Sequence, residues 1–314
     1  MMKRSVIKYS GVINGLIGIQ FMAMAQQPAL HSLYMFDQLL INPAYAGTHV
    51  QLSATAISRN QWVNFPGAPT TSTVTMQSGF ARDRIGVGLM LYRDVIGAHT
   101  DHSIYMSYSY KIKMPNKATF QMGLQGGFQY LVSDYTKVSK KDLNDPTFLG
   151  KLPPAFNPNF GTGIFYTDKS LYFGLSVPYL LSTTAISQSD GVLSTAKRKR
   201  IYYLTAGNTW KISPEFKFMP STLVRFQENN AFSFDMNAHF VYLDAVGFGA
   251  SYRMVEGAVL MFELKLNENL HVGYAYDITT SAMALHSNGS HEIMVNYRYR
   301  IPALHKGLEC PSYY

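Results

Sequence analysis

The sequence predicts an all-β fold, a transmembrane antiparallel β-barrel of about 14 strands with short periplasmic turns and longer extracellular loops. Three observations carry that expectation. Segments of period-two alternation recur along the chain, the connections between them alternate between tight and long, and a secretory leader precedes them.

The alternation is clearest towards the C-terminus. From 231 to 242, Ser233, Asp235, Asn237 and His239 alternate with Phe232, Phe234, Met236, Ala238, Phe240 and Tyr242. From 246 to 253, Val246, Phe248, Ala250 and Tyr252 alternate with Gly247, Gly249, Ser251 and Arg253. Near the end, Ile293, Val295, Tyr297 and Tyr299 alternate with Glu292, Met294, Asn296, Arg298 and Arg300. Successive strand residues face opposite sides of a sheet, so each segment has one apolar or aromatic face and one polar or glycine face. Fourteen such segments lie near 49–61, 69–80, 85–93, 100–112, 117–133, 157–168, 170–177, 200–212, 215–227, 230–243, 245–253, 255–267, 269–277 and 290–301.

A soluble sandwich would turn the apolar face inward, whereas a membrane barrel turns it to lipid. The connections favour the barrel. Those at 81–84, 114–116, 168–169, 213–214 and 267–268 are tight and follow even-numbered segments. The long ones, at 134–156, 178–199 and 278–289, follow odd-numbered segments. Short turns on one side and long loops on the other place both termini on the periplasmic side. Aromatics near strand ends, such as Tyr108, Tyr110, Phe128 and Tyr130, suit interfacial girdles.

Composition agrees. Apolar residues make up 47 % of the 314, yet mean hydropathy is −0.05, far below that of a helical membrane protein. Charged residues are only 15 %, and 22 Tyr and 19 Phe supply most of the aromatics, as a protein facing both lipid and water requires.

Lys3, Arg4 and Lys8 open a leader whose apolar run spans 11–24, and Ala23-Met24-Ala25 provides a cleavage site before Gln26. The run is short for a membrane span of about 20 residues. Gln26 is not Cys, so lipoprotein processing is not expected. The chain therefore divides into a signal peptide (1–25), a segment (26–48) that is periplasmic or plugs the lumen, a single barrel domain (49–301) and a periplasmic tail (302–314). Of the formal +8, three cations belong to the leader, and the rest are scattered apart from Lys140-Lys141 and Lys197-Arg198-Lys199-Arg200. Nucleic-acid binding needs a concentrated basic face and is not expected. Lipopolysaccharide and other outer-membrane lipids are the expected anionic contacts of the outer surface. The single Cys310 excludes an intramolecular disulfide framework.

No constellation reads as catalytic, and no cofactor or metal site is expected. His99-Thr100-Asp101-His102 lacks a third clustered strong ligand beyond Asp101. Ser290, His291 and Glu292 superficially resemble a hydrolytic set. On a strand, however, His291 points away from the other two, out of the reach that a nucleophile and its base require. Gly123, Gly126 and Gly127 do not open a helix, and they read as packing glycines rather than a phosphate cradle. Arg225, Lys217, Asp235 and His239, with Arg298, Arg300 and Glu292, put charge on polar faces. Charge inside a barrel is costly unless paired, so cross-lumen pairing is expected ahead of a polar conduction path.

Several short pieces, in order through nearly the whole mature chain, resemble the PorP/SprF family of Bacteroidetes outer-membrane proteins. They begin with Asn42-Pro43-Ala44-Tyr45-Ala46-Gly47, then Arg59-Asn60-Gln61-Trp62 and Gly67-Ala68-Pro69-Thr70-Thr71. Gly174-Leu175-Ser176-Val177-Pro178 and Ser251-Tyr252-Arg253 follow. Gly273-Tyr274-Ala275-Tyr276-Asp277 and Ser290-His291-Glu292-Ile293 complete the set. The resemblance implies a non-enzymatic barrel of type IX secretion and gliding motility. Its implied partners are the periplasmic ring or peptidoglycan-linked components, the translocon, and a secreted adhesin with a C-terminal sorting domain. It transfers no catalytic residue. Asn42, Pro43, Tyr45, Gly47, Arg59, Gln61, Trp62, Gly67, Pro69, Tyr252, Arg253, Tyr274, Tyr276, Asp277, His291 and Glu292 are the candidate docking or structural residues. The competing readings are an outer-membrane transport channel for a small or hydrophobic solute and an outer-membrane hydrolase.

Overall fold

A computed structural model describes residues 30–299 except 50, 81–82, 116, 138–152, 183, 190–191, 198, 229–231, 255 and 281. The leader, the tail with Cys310, Lys140-Lys141 and Arg300 lie outside the described residues. Strands β1 (Leu52–Asn60), β2 (Thr70–Phe80), β3 (Ile85–Ile96), β4 (His99–Lys113), β5 (Thr119–Ser133), β6 (Ala155–Thr167) and β7 (Leu171–Val177) form an antiparallel meander. Two short strands, β8 (Thr184–Ser189) and β9 (Val192–Lys197), pair only with each other as a hairpin within the next connection. The meander resumes at β10 (Ile201–Asn208), which continues after Thr209 as β11 (Trp210–Lys211); both pair with β12 (Phe216–Gln227) in one register. It ends with β13 (Ser233–Tyr242), β14 (Val246–Arg253), β15 (Gly257–Lys265), β16 (Leu270–Thr279) and β17 (Ser290–Tyr299). Pairing of β1 with β17, Leu52 opposite Tyr299 through Asn60 opposite His291, closes the ring. With β10 and β11 as one stave, the ring is a closed barrel of 14 staves.

The polar rows face inward and the aromatic rows outward. On β13, Asp235, Asn237 and His239 are buried while Met236 is 60 % exposed. On β4, Ser103, Ser107, Ser109 and Lys111 are buried while Met106 is 65 % exposed. Phe160, Phe248, Leu260, Ile293 and Tyr297 extend this exposed apolar belt around the wall. A belt of this extent is incompatible with water and matches the hydrocarbon layer of a bilayer.

Connections at one end, 81–84, 114–118, 168–170, 212–215, 243–245 and 266–269, are all short. Leu243 and Asp244 take positive φ (52° and 54°) to turn the chain there. The opposite end carries 61–69, 134–154, 178–200 and 280–289, but also tight connections at 97–98 and 254–256. Loop length therefore varies at only one end.

Residues 30–49 occupy the lumen as three 3-10 turns, Tyr34–Phe36, Gln38–Leu40 and Pro43–Tyr45. Asp37 caps the second turn by accepting from Leu39 N–H; Asn42 caps the third, with Pro43 at its first position. Leu33, Phe36, Leu39, Ile41 and Tyr45 bury themselves against Ile57, Phe165, Tyr172, Leu223 and Met294 of the wall. The main apolar cluster of the barrel thus surrounds this segment. Gly123 makes room for it: a Cβ there would lie 2.3 Å from Ala44 N. Gly47 (φ 64°) packs against Gly86, where a Cβ would lie 2.0 Å from Ala46 O.

Two wall hydroxyls hold the segment's backbone, and one segment side chain holds the wall's. Ser109 donates to Ala46 O (2.7 Å), Ser176 to Ile41 O (2.6 Å) and Asn42 Nδ2 to Ile164 O (3.0 Å). Ser32 contacts Arg59 and Asp277, near the end that carries the long connections; His49 contacts Arg298 at the other end. The chain thus runs down the lumen before entering β1. Residue 30 stands at the loop end, not at the short-turn end where loop lengths alone would put an N-terminus.

Candidate functional site

The densest polar constellation lies where the lumenal segment meets the loop end of the wall. Adjacent staves supply it because each contributes an inward-facing residue one or two positions from its end. Arg59 on β1 stands in register with Glu292 on β17 and is 2 % exposed. Its Nη2 donates to Asp277 Oδ2 (2.5 Å) on β16; its Nη1 donates to Glu292 Oε2 (3.2 Å) and Ser32 Oγ (2.8 Å). Glu292, fully buried, accepts from Ser32 N–H (3.0 Å) and Leu33 N–H (2.8 Å), and lies 3.3 Å from His31 Nδ1. Ser32 Oγ donates onward to Asp277 Oδ1 (2.7 Å). His31 Nε2 lies 2.8 Å from Thr73 Oγ1 on the neighbouring β2.

Arg253 extends the cluster. Its Nε donates to Asp235 Oδ2 (3.0 Å) and its Nη1 to Glu256 Oε2 (2.9 Å), with Asp277 Oδ2 3.6 Å away. Arg225 Nη2 lies 3.9 Å from Glu256 and its Nε donates to Ser233 Oγ (3.0 Å). Three guanidiniums thus face four carboxylates. Desolvating such charges costs several kcal/mol per ion, roughly, unless geometry and further hydrogen bonds offset it. Here the further bonds come from Ser32 and Leu33, so the cluster is complete only with the lumenal segment in place.

Four of the residues that the sequence singled out, Arg59, Arg253, Asp277 and Glu292, come together here. Gln61 and Trp62 sit directly above, in the connection after β1. Gln61 N–H donates to Pro69 O (3.0 Å), and Trp62 N–H donates to Ser290 Oγ (3.1 Å). Gly67, at φ 76°, accepts from Gly97 N–H (3.1 Å) and ties this connection to the β3–β4 turn. A void of about 30 Å³ lies between Arg59, Trp62, Arg253 and Glu256, the room of one water molecule and far too little for a substrate. Asn42, Pro43, Tyr45 and Gly47 are elsewhere, within the lumenal segment. Tyr252, Tyr274, Tyr276 and His291 are on the outer wall, where Tyr274 Oη lies 2.7 Å from His291 Nδ1 and the Tyr276 and His291 rings are 5.0 Å apart.

The alternation argument about Ser290, His291 and Glu292 holds: Ser290 and Glu292 are buried inside and His291 faces out. Asp101 and His102 likewise take opposite faces. Arg298 shares the inner face with Glu292 but reaches His49 (3.2 Å) instead, because the two lie at different heights. His31, Ser32 and Glu256 were not among the sequence candidates. Their partners lie on other strands, from 27 to more than two hundred residues away, or across a turn, and no local pattern marks them. Towards the other end, Asp83 pairs with Lys111 and, at 3.4 Å, with Lys113; Glu263 lies 3.1 Å from His239.

No curated protein matches the chain. Among solved structures, it is similar to the CymD monoaromatic hydrocarbon channel, with TM-score 0.52, 11 % identity, and 86 % of this chain and 94 % of that one covered. It is also similar to a deltaS2 mutant of the TodX monoaromatic hydrocarbon channel, with TM-score 0.50, 12 % identity, and 84 % and 94 % covered. At these identities the likeness shows the barrel fold alone. The family model for type IX secretion system membrane protein PorP/SprF matches residues 23–297, nearly the whole chain. This closed barrel of the outer membrane therefore belongs to the PorP/SprF family of type IX secretion system membrane proteins.

Proposed function

We propose that the barrel works as a sealed, non-enzymatic docking unit of the type IX secretion and gliding machinery. It holds periplasmic ring or peptidoglycan-linked components at its short-turn end. The translocon and a secreted adhesin with a C-terminal sorting domain engage its loop end. Residues 30–49 support this reading: they run through the lumen packed against its wall, and Arg59, Asp277 and Glu292 bind them at the loop mouth. A conduit needs a continuous water-filled path, whereas a platform needs a rigid frame with its ends presented, which a filled lumen supports.

Two measurements separate docking from transport. In planar bilayers the purified chain is expected to be electrically silent; stable open-channel steps would overturn the sealed reading. Pull-down from detergent-solubilised outer membranes is expected to recover type IX components, and recovery of the barrel alone would count against docking. Deleting 302–314 is expected to leave a folded barrel that recovers less of the periplasmic components. Unchanged recovery would remove the tail from the docking surface.

A further inference from the structure

On the outer wall, away from the lumen, β2 to β5 leave a depression of about 380 Å³, the size of a small-molecule pocket. Two cross-strand rows build it. In one, Val74, Leu91, Ile104 and Phe128 stand opposite one another in sequence across the four staves, all apolar. One step nearer the loop end, Ser72, Arg93, His102 and Tyr130 form the next row in the same way. The short Ser72 and Val74 leave the floor low, while Leu91, Phe128 and Tyr130 wall it.

Arg93 and His102 are both exposed on this face, and neither has a hydrogen bond or ion pair to another described residue. No carboxylate among the described residues shares the outer face of these staves. Asp94 and Asp101 point into the lumen, where Thr71, Ser103 and Gln129 bind them. A guanidinium facing hydrocarbon is costly, so Arg93 marks the headgroup level, with the apolar row just inside the membrane. A cation and an imidazole N–H above an acyl-sized apolar trough complement one chemistry: a phosphate attached to fatty chains. A guanidinium meets phosphate with two parallel N–H donors. The site lies at the loop end, which faces the outer leaflet.

We propose that this depression binds the phosphorylated glycolipid of the outer leaflet, with an acyl chain along Val74, Leu91, Ile104 and Phe128 and a phosphate held by Arg93 and His102. The site lies on the outer wall, outside the lumen.

The test is native mass spectrometry of the full chain in neutral detergent, with diphosphorylated lipid A as the probe. Wild type is expected to retain the lipid, and the R93Q/H102Q double variant to bind about tenfold more weakly, as loss of a charge-assisted bidentate contact implies. Dephosphorylated lipid A and phosphatidylglycerol are expected to bind wild type as weakly as the double variant binds lipid A. Ile104→Trp, which fills the trough and keeps both polar groups, is expected to weaken binding as well, and it decides the matter should the double variant fail to fold. Wild-type binding by the variants overturns the site. Equal binding of the dephosphorylated lipid overturns the role of the phosphate, and equal binding of phosphatidylglycerol overturns the glycolipid assignment.

Discussion

Arg59 shows how much one side chain of the barrel supports. It joins two wall carboxylates to the hydroxyl of Ser32 and is almost wholly buried. Removing one partner of a buried ion pair leaves the other charge uncompensated, typically at about 3–5 kcal/mol. Arg59→Ala is therefore expected to lower the thermal unfolding temperature of the detergent-solubilised barrel and to give intermittent conductance in planar bilayers. Wild-type stability together with wild-type silence would sink the view that this residue secures the lumenal segment. Glu292→Gln keeps the size and one of the two contacts that accept a backbone N–H, and it removes the charge opposite Arg59. It is expected to destabilise less than Glu292→Ala, in the same thermal scan. Arg59 and Glu292 were visible in the sequence as members of family-like motifs, but their cross-strand opposition is seen only in the register of β1 on β17. Ser32 was not visible, because a serine in an irregular segment carries no signal of what it will meet.

At the level of elements, the strands follow from alternation and the turns from short polar breaks, so all fourteen staves were legible in sequence with end errors of a few residues. The lumenal segment was legible only as a turn-rich stretch around Asn42-Pro43-Ala44-Tyr45. Its path depends on glycines far away in the chain. A Cβ at Gly123 would clash with Pro43 and Ala44, whereas one at Gly126, three residues on along the same strand, would meet only Phe160 at an ordinary 3.6 Å. Gly123→Ala is therefore expected to displace the segment and cost more than about 1 kcal/mol in unfolding free energy, as overpacking does. Gly126→Ala is expected to stay within about 0.5 kcal/mol of wild type, as most surface substitutions do. Equal effects of the two substitutions in chemical denaturation would show that the close contact at Gly123 is relieved at no cost. Alternation puts Gly123 on the inner face and Gly126 on the outer, but only the structure shows that the inner glycine meets the lumenal segment.

For the whole molecule, the arrangement inverts that of a soluble domain. Exposed Phe, Tyr, Leu and Met form the outside, polar residues line the inside, and the central apolar cluster gathers around a short N-terminal segment. Removing residues 30–48 is expected to leave a ring whose strand pairing survives while its lumen admits ions. Planar-bilayer current recorded on the truncated barrel checks this, and continued silence would mean that something other than this segment closes the lumen. The charge cluster at the loop mouth then loses Ser32 and the two backbone N–H donors, so the truncated barrel is also expected to melt earlier.

Side-chain alternation and connection length by themselves determined that this chain is a membrane barrel of fourteen staves with polar residues inside. Both are local properties: a strand writes its two faces into every second residue, and a turn writes its tightness into a few. The family was legible in the same way, from short motifs in order. Only the tertiary structure decided that residues 30–49 run through the lumen from the loop end. It alone showed that Arg59, Asp277 and Glu292 close on Ser32, and that Arg93 and His102 stand above an apolar trough with no partner among the described residues. The lumenal path and its anchor depend on ring closure, which brings residues more than two hundred positions apart to one height of the barrel, and the trough depends on the register of β2 to β5; neither leaves a periodic trace in the sequence.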